Sequence, residues 1–275
     1  MTPHPDKAAR ELLAFYLEAG VDTPVGEEAV DRFSDDTAPP GAEPAPVSQT
    51  ATPPITPQRA AASALPLAAP PAPEAAALAA REAVKGISTL EELRTVLDAF
   101  EGCALKGTAT QLVFADGNPQ AKIMFVGEAP GRDEDIEGLP FVGRSGKLLD
   151  LMLHAIGLDR SSVYIANIIP WRPPGNRTPT PQESQICLPF IQRQIGLVDP
   201  DILVCLGGPS AQTLLGIREG ITKTRGRWFS YDTGQREIRA MPTFHPAFLL
   251  RSPLQKRLAW RDFLAIRMAL GTEKI

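Results

Sequence analysis

Lys122-Ile-Met-Phe-Val-Gly-Glu-Ala-Pro-Gly131 decides the fold. Ile123 to Val126 is a continuous apolar run, the pattern of a strand buried on both faces of a parallel sheet, and Gly127, Pro130 and Gly131 end it abruptly. In open α/β sheets ligands bind beyond the carboxyl ends of the strands, where loops expose backbone N–H groups and the first turns of helices. Arg132-Asp-Glu-Asp135 and Leu139-Pro-Phe-Val-Gly143 lie directly behind this strand end. Function is therefore expected there.

Upstream of the run, Leu112 to Ala115 reads as a short strand and Gly117-Asn-Pro as a turn. Downstream, Ser145 to Ile156 is periodic in Leu148, Leu149, Met152, Leu153 and Ile156 and stops at Gly157, which predicts a helix. Val163 to Asn167 is a second strand. Ile168 to Arg177 is too rich in proline for helix or interior strand. Thr180-Pro-Gln-Glu183 is a capping box that opens a helix to about Leu197. Asp201 to Leu206 is a third buried strand, and Pro209 to Leu215 a short helix after Gly207-Gly208. Arg227–Tyr231 and Glu237–Ala240 read as a hairpin around Asp232-Thr-Gly234. Pro242 to Phe244 is a last strand ending at His245, and Pro253 opens a closing helix to about Leu270. Strands alternating with helices predict a parallel, doubly wound α/β domain over 81–275, with polar loops after Val126, at Asn167 and at His245 converging on one sheet edge.

The first 80 residues differ in kind. From Thr37 to Ala80, 27 of 44 residues are Ala or Pro. That composition has too few large side chains to offset its ordering entropy, so 37–80 reads as a disordered linker. Residues 1–36 form a short N-terminal segment in which Leu12, Phe15, Tyr16 and Ala19 share one face of a helix over Ala8–Ala19. That helix either docks on the main domain or binds a protein partner. A further helix is expected over Ile87–Phe100, capped by Ser88.

Net charge is −4, unevenly spread: residues 1–85 carry 6 basic and 12 acidic side chains, whereas residues 218–267 carry 11 basic and 4 acidic. A local basic face suits a phosphate backbone better than the average charge suggests. Three cysteines, Cys103, Cys187 and Cys205, with no C-x-x-C pair, indicate a reducing compartment and no disulfide framework. There is no membrane-length apolar run and no signal-peptide pattern. A cytoplasmic protein acting as a monomer is expected.

Gly127-Glu-Ala-Pro-Gly131 with Glu134-Asp135 and Pro140-Phe-Val-Gly143, then Asn167 with Arg172-Pro-Pro-Gly-Asn-Arg177, then His245-Pro-Ala-Phe-Leu-Leu-Arg251, together resemble the family 4 uracil-DNA glycosylases. The resemblance runs from about Cys103 to Ala269. It implies a three-layer α/β/α fold with a central, mostly parallel sheet, and a pocket that receives a base flipped out of uracil-containing DNA. Gly127 and Ala129 would border that base, Phe141 would stack on it, and Asn167 would read it, accepting from N3–H and donating to O4. His245 would stabilise the leaving anion. Glu134, ahead of Glu128, would orient the hydrolytic water, with Asn176 as a polar aid. Leu249 and Leu250 would wedge into the duplex, Arg251 would meet phosphate, and Arg144 and Ser145 would add DNA contacts.

This chain also departs from the family. Members typically hold a four-iron, four-sulfur cluster through four cysteines; Cys103 and Cys187 occupy the second and fourth of those places, but Phe100 and Trp171 occupy the first and third. Two thiolates cannot hold a cubane that takes four, so no cofactor is expected. Cys205 reads as a buried apolar residue. The favoured reading is a monofunctional glycosylase. The alternatives are a uracil-DNA binding protein without turnover, since Ala129 stands where the superfamily's best-known family has a carboxylate, and a nucleotide-binding domain, against which Arg132-Asp-Glu-Asp135 lacks the lysine and hydroxyl of a P-loop.

Overall fold

The computed structural model describes residues 73–271. Its elements, in chain order, begin with α1 (Pro73–Ala83) and α2 (Leu90–Ala99). Strands β1 (Asp116–Gly117) and β2 (Ile123–Gly127) follow, then α3 (Arg132–Glu137), α4 (Arg144–Ala155) and β3 (Tyr164–Asn167). After a proline-rich loop come α5 (Pro181–Val198), β4 (Ile202–Leu206), α6 (Gly208–Leu215) and α7 (Ile221–Thr224). β5 (Phe229–Asp232), β6 (Glu237–Thr243), α8 (Pro246–Arg251) and α9 (Lys256–Ala269) complete the domain.

Six strands form one sheet in the order β1-β3-β2-β4-β6-β5. The four central strands are parallel, and the two outer pairings, β1 with β3 and β5 with β6, are antiparallel. Side chains alternate across this sheet as the two-residue period requires. Met124, Val126, Leu203 and Cys205 face one apolar layer with Ala76, Ala80, Leu93, Leu97, Phe190 and Ile195 of the helices. Ile123, Phe125, Ile202 and Val204 face the other, with Leu149 and Leu153 of α4 and Phe263 and Ile266 of α9. The result is the expected three-layer α/β/α arrangement. No helix among the described residues is long and apolar enough to cross a membrane.

Several sequence expectations need correction. The linker expected over 37–80 does not extend that far: Pro73–Ala83 is helical, and Ala76 and Ala80 are buried. Alanine is the strongest helix former as well as a common linker residue, and its small side chain lets α1 approach α5 closely. The cap of α2 is Thr89, not Ser88; Thr89 Oγ1 accepts from Glu92 N at 3.1 Å, and the Glu92 carboxylate accepts in return from the amides of Ser88 and Thr89. Leu112–Ala115 is not a strand. Val113 donates its amide to Pro170 O at 2.9 Å, and Pro170 has no N–H to return, so the pairing begins only at Asp116.

The expected hairpin strand 237–240 and the last strand 242–244 are one continuous strand, β6. Pro242 is tolerated inside it because its carbonyl accepts from Gly226 N on the side that β5 has already left, and its missing N–H faces that same side. The short helices α3 and α8 stand where loops were expected. The N-terminal helix over 8–19 and the linker up to residue 72 lie outside the described residues.

Candidate active site

The carboxyl ends of the parallel strands lie at one edge. Gly127 is in register with Asn167, and Leu206 with Thr243, two residues before His245. A cleft of about 640 Å³ opens there, bordered by Glu128, Ala129, Phe141, Asn167, Asn176 and His245 among others. Gly127, at the end of β2 just ahead of the lining residues Glu128 and Ala129, has no room for a side chain: a Cβ would run into Asn167 Oδ1 and come within 2.7 Å of the Phe141 ring.

Asn167 is buried, and its Oδ1 has no hydrogen-bond partner among the described residues. A buried, unpaired carbonyl oxygen costs about 1–3 kcal/mol, a cost that natural folds seldom leave unmet without a ligand. Phe141 stands beside it, buried, at a left-handed φ of 56°. That conformation costs an L-residue with a Cβ roughly 1–2 kcal/mol. Gly146, on the first turn of α4, permits it: a Cβ there would strike the Phe141 carbonyl.

His245 caps α8. Its Nδ1 accepts from Ala247 N at 3.1 Å, so in the neutral ring the proton sits on Nε2. Burial pushes its pKa down to about 4, with the Arg251 charge adding to the effect, so the neutral form dominates at pH 7. Its ring stacks beside Phe141, with centroids 5.5 Å apart and planes 30° apart. An acceptor, an aromatic face and a neutral N–H donor thus border one cleft.

The carboxylates divide. Glu134 Oε2 accepts from Gly131 N at 3.1 Å and Oε1 from Gly143 N at 3.0 Å, so Glu134 clamps the loop after β2 to the start of α4. Both Glu128 and Glu134 line the cleft; Glu128 has no such amide partners among the described residues, and burial raises its pKa above the ordinary value. Asn176 Oδ1 accepts from Arg172 Nε at 2.7 Å, which leaves its NH₂ group for the cleft. Arg172 in turn lies 3.9 Å from Asp135, a buried carboxylate that also accepts from the amide and hydroxyl of Thr110.

The expected duplex wedge is corrected at Leu249, whose side chain is fully buried in a small cluster with Phe244 and Ala259. The turn of α8 directs it inward. Leu250 and Arg251 instead border a neighbouring groove of about 500 Å³ together with Arg144, Ser145 and Asn176.

Sequence reasoning missed Phe248, which lines the cleft and packs its ring on Phe244 at 4.9 Å. It also missed Arg177, held by Glu183 through bonds of 2.9 and 2.6 Å. The Arg177–Glu183 spacing across the capping box was a usable signal. Phe248 carried none beyond its place in the His245 motif.

Residues 114–264 match the Uracil DNA glycosylase superfamily, and the chain belongs to that family. The chain is 39% identical to the type-4 uracil-DNA glycosylase of Sulfurisphaera tokodaii over 193 residues, covering 68% of this chain and 88% of that protein. It is 36% identical to the type-4 uracil-DNA glycosylase of Archaeoglobus fulgidus over 192 residues, covering 68% and 96%. For the protein of the same description from Thermotoga maritima the identity is 44% over 169 residues, covering 60% and 86%.

The residues at the four cluster positions do not fit an iron–sulfur cubane. Cys103 and Cys187 are buried with their sulfurs 3.9 Å apart, the Cys187 thiol donating to Cys103. That hydrogen bond and burial raise the Cys187 pKa well above its ordinary value, whereas a cluster ligand must be a thiolate. Trp171, 2% exposed, fills the apolar layer beside them, and Phe100 meets Phe190 edge-on at 5.0 Å. Among the described residues no group of three or more His, Cys, Asp or Glu side chains could hold a metal ion.

Proposed function

We propose that this chain is a uracil-DNA glycosylase that works without an iron–sulfur cluster. It receives a uracil flipped out of DNA and hydrolyses the N-glycosidic bond, leaving an abasic site for base excision repair. The unpartnered Asn167 Oδ1 carries the reading: it is a buried acceptor waiting for a donor such as uracil N3–H, while the same carboxamide offers an N–H to O4. Cytosine presents a lone pair at N3 and an amino group at C4, so both contacts turn repulsive.

In this mechanism the uracil ring lies on Phe141. As the bond breaks its electron pair leaves with the base, and the Nε2–H of neutral His245 stabilises the charge growing at O2. The orientation is fixed in advance, because Nδ1 is committed to the α8 cap and no other tautomer serves both tasks. Water then bonds to the sugar carbon and gives up its proton. Glu128 is the carboxylate placed for that proton, its pKa raised by burial, and Asn176 offers the water an N–H. Glu134 becomes the clamp that shapes the loop, since each of its oxygens already accepts an amide. Leu250, Arg251, Arg144 and Ser145 supply the DNA face.

Incubation with a uracil-containing oligonucleotide, followed by alkali to cut abasic sites, tests the assignment. Strand scission at the uracil position is expected. Retention of uracil-DNA without scission would instead mean a binding protein, a reading that Ala129 keeps in view by leaving no carboxylate at that position. Asn167→Asp sharpens the test: an ionised carboxylate accepts but cannot donate, so uracil excision should weaken and unpaired cytosine should become a slow substrate. Excision of uracil at the parental rate by this variant would remove Asn167 from the pocket.

A further inference from the structure

Phe141 holds a left-handed backbone that its own chemistry disfavours, and Gly146 merely permits it. Something must impose it. Arg160, in the turn between α4 and β3, spends its guanidinium on four acceptors. Nη1 donates to Pro140 O at 3.1 Å and Nη2 to Phe141 O, while Nη1 also meets Asp116 Oδ2 at 2.6 Å and Nε meets Asp150 Oδ1 at 2.8 Å. The two carboxylates come from β1 and α4, so the fork is fixed at its base before it reaches the loop. Arg160 does not line the cleft.

We propose that Arg160 is the positioning residue of the base-stacking ring, pinning two successive carbonyls so that Phe141 is presented to the base in a single orientation. The inference rests on the reading of Phe141 as the platform under uracil. A planar guanidinium is required, because one flat group must satisfy two adjacent carbonyls while anchored to two carboxylates; an ammonium reaches fewer of them from a single point. Arg160 touches neither base nor DNA in this arrangement. Its loss should therefore affect contact with the base and spare contact with the phosphates.

That split is the test. Inhibition by free uracil reports the stack, and affinity for DNA carrying an abasic analogue reports the phosphate face, which has no base to hold. In Arg160→Gln, inhibition by uracil should weaken about tenfold, the scale of one lost base–aromatic stack, with affinity for the abasic analogue within about twofold and excision slowed. Arg160→Lys, which keeps the charge for Asp116 and Asp150, should fall between and should retain the parental melting temperature. It supplies the measurement if the glutamine variant does not fold.

A double-mutant cycle with Phe141→Ala completes the test: once the ring is gone, Arg160→Lys should add no further loss of uracil inhibition. Equal losses for uracil and abasic DNA, unchanged uracil inhibition in both Arg160 variants, or additive effects in the cycle would each overturn the proposal. If Phe141→Ala alone leaves uracil inhibition and excision at parental values, the stacking reading itself fails, and the proposal with it.

Discussion

The loop between β3 and α5 serves two regions of opposite character. Trp171 points into a closed apolar layer with Cys103 and Cys187, whereas Asn176, only five positions later, borders the cleft. The first region is closed: its ring is buried, and the Cys187 thiol donates to Cys103. The second is unfinished, with an orphan acceptor at Asn167, a left-handed Phe141 and a histidine kept neutral. Stability resides where every group is matched, and recognition where some are left for a ligand to match.

The strongest way to break the comparison is to empty the closed region. Trp171→Ala should destabilise the domain by about 3–5 kcal/mol, as for a large buried ring, while the molecules still folded excise uracil normally. Urea unfolding paired with single-turnover kinetics measures both, and a loss under about 1 kcal/mol would mean that the ring carries no packing role. His245→Ala is the converse. It should lower the single-turnover excision rate by about 10²–10³ and leave affinity for uracil-DNA within several-fold. Equal losses in rate and affinity would place the residue in binding instead.

A third test uses pH. The His245 pKa falls from the ordinary 6.5 to about 4 on folding, so the unfolded chain binds a proton in that window that the folded chain refuses. Stability from this group is fully present above 6.5 and is lost as pH falls toward 4, by up to about 3 kcal/mol at about 1.4 kcal/mol per unit. Urea unfolding at pH 7 and pH 5, compared between the parent and His245→Gln, should show a steeper acid loss in the parent. Parallel losses would mean that the imidazole is not buried in its neutral form.

The smallest effect is expected at the buried thiol pair. Cys187→Ala should cost only about 1 kcal/mol, the scale of a small buried group, and leave excision unchanged. Anaerobically purified parent should lack visible iron–sulfur absorption. Iron near four atoms per chain, as a cubane requires, would overturn the cluster-free reading.

The central strands were legible because their apolar runs and glycine stops are local. The capping box at Thr180 was legible for the same reason, with both of its bonds in place. β6 was broken in two at Pro242 because only its neighbours show which side of the strand needs a donor. α1 was hidden by its alanines, whose burial depends on α5, more than a hundred residues later. In the site, the motif supplied residue types but not their partners. Glu134 read as the carboxylate that orients water, with no sign of the amides of Gly131 and Gly143 that it accepts, and Leu249 read as a wedge until α8 turned it inward.

Gly127 and Gly146 admit no side chain at all: any Cβ would strike Asn167 Oδ1 at the first and the Phe141 carbonyl at the second. Every glycine codon opens with two guanines, each paired with a cytosine. Deamination of either cytosine, left unrepaired, turns glycine into serine, arginine, aspartate or glutamate, none of which fits. The gene is therefore exposed, at the two glycines that make room for Asn167 and Phe141, to the lesion that the pocket is built to remove. A lineage in which the enzyme weakens accumulates the very transitions that finish disabling it.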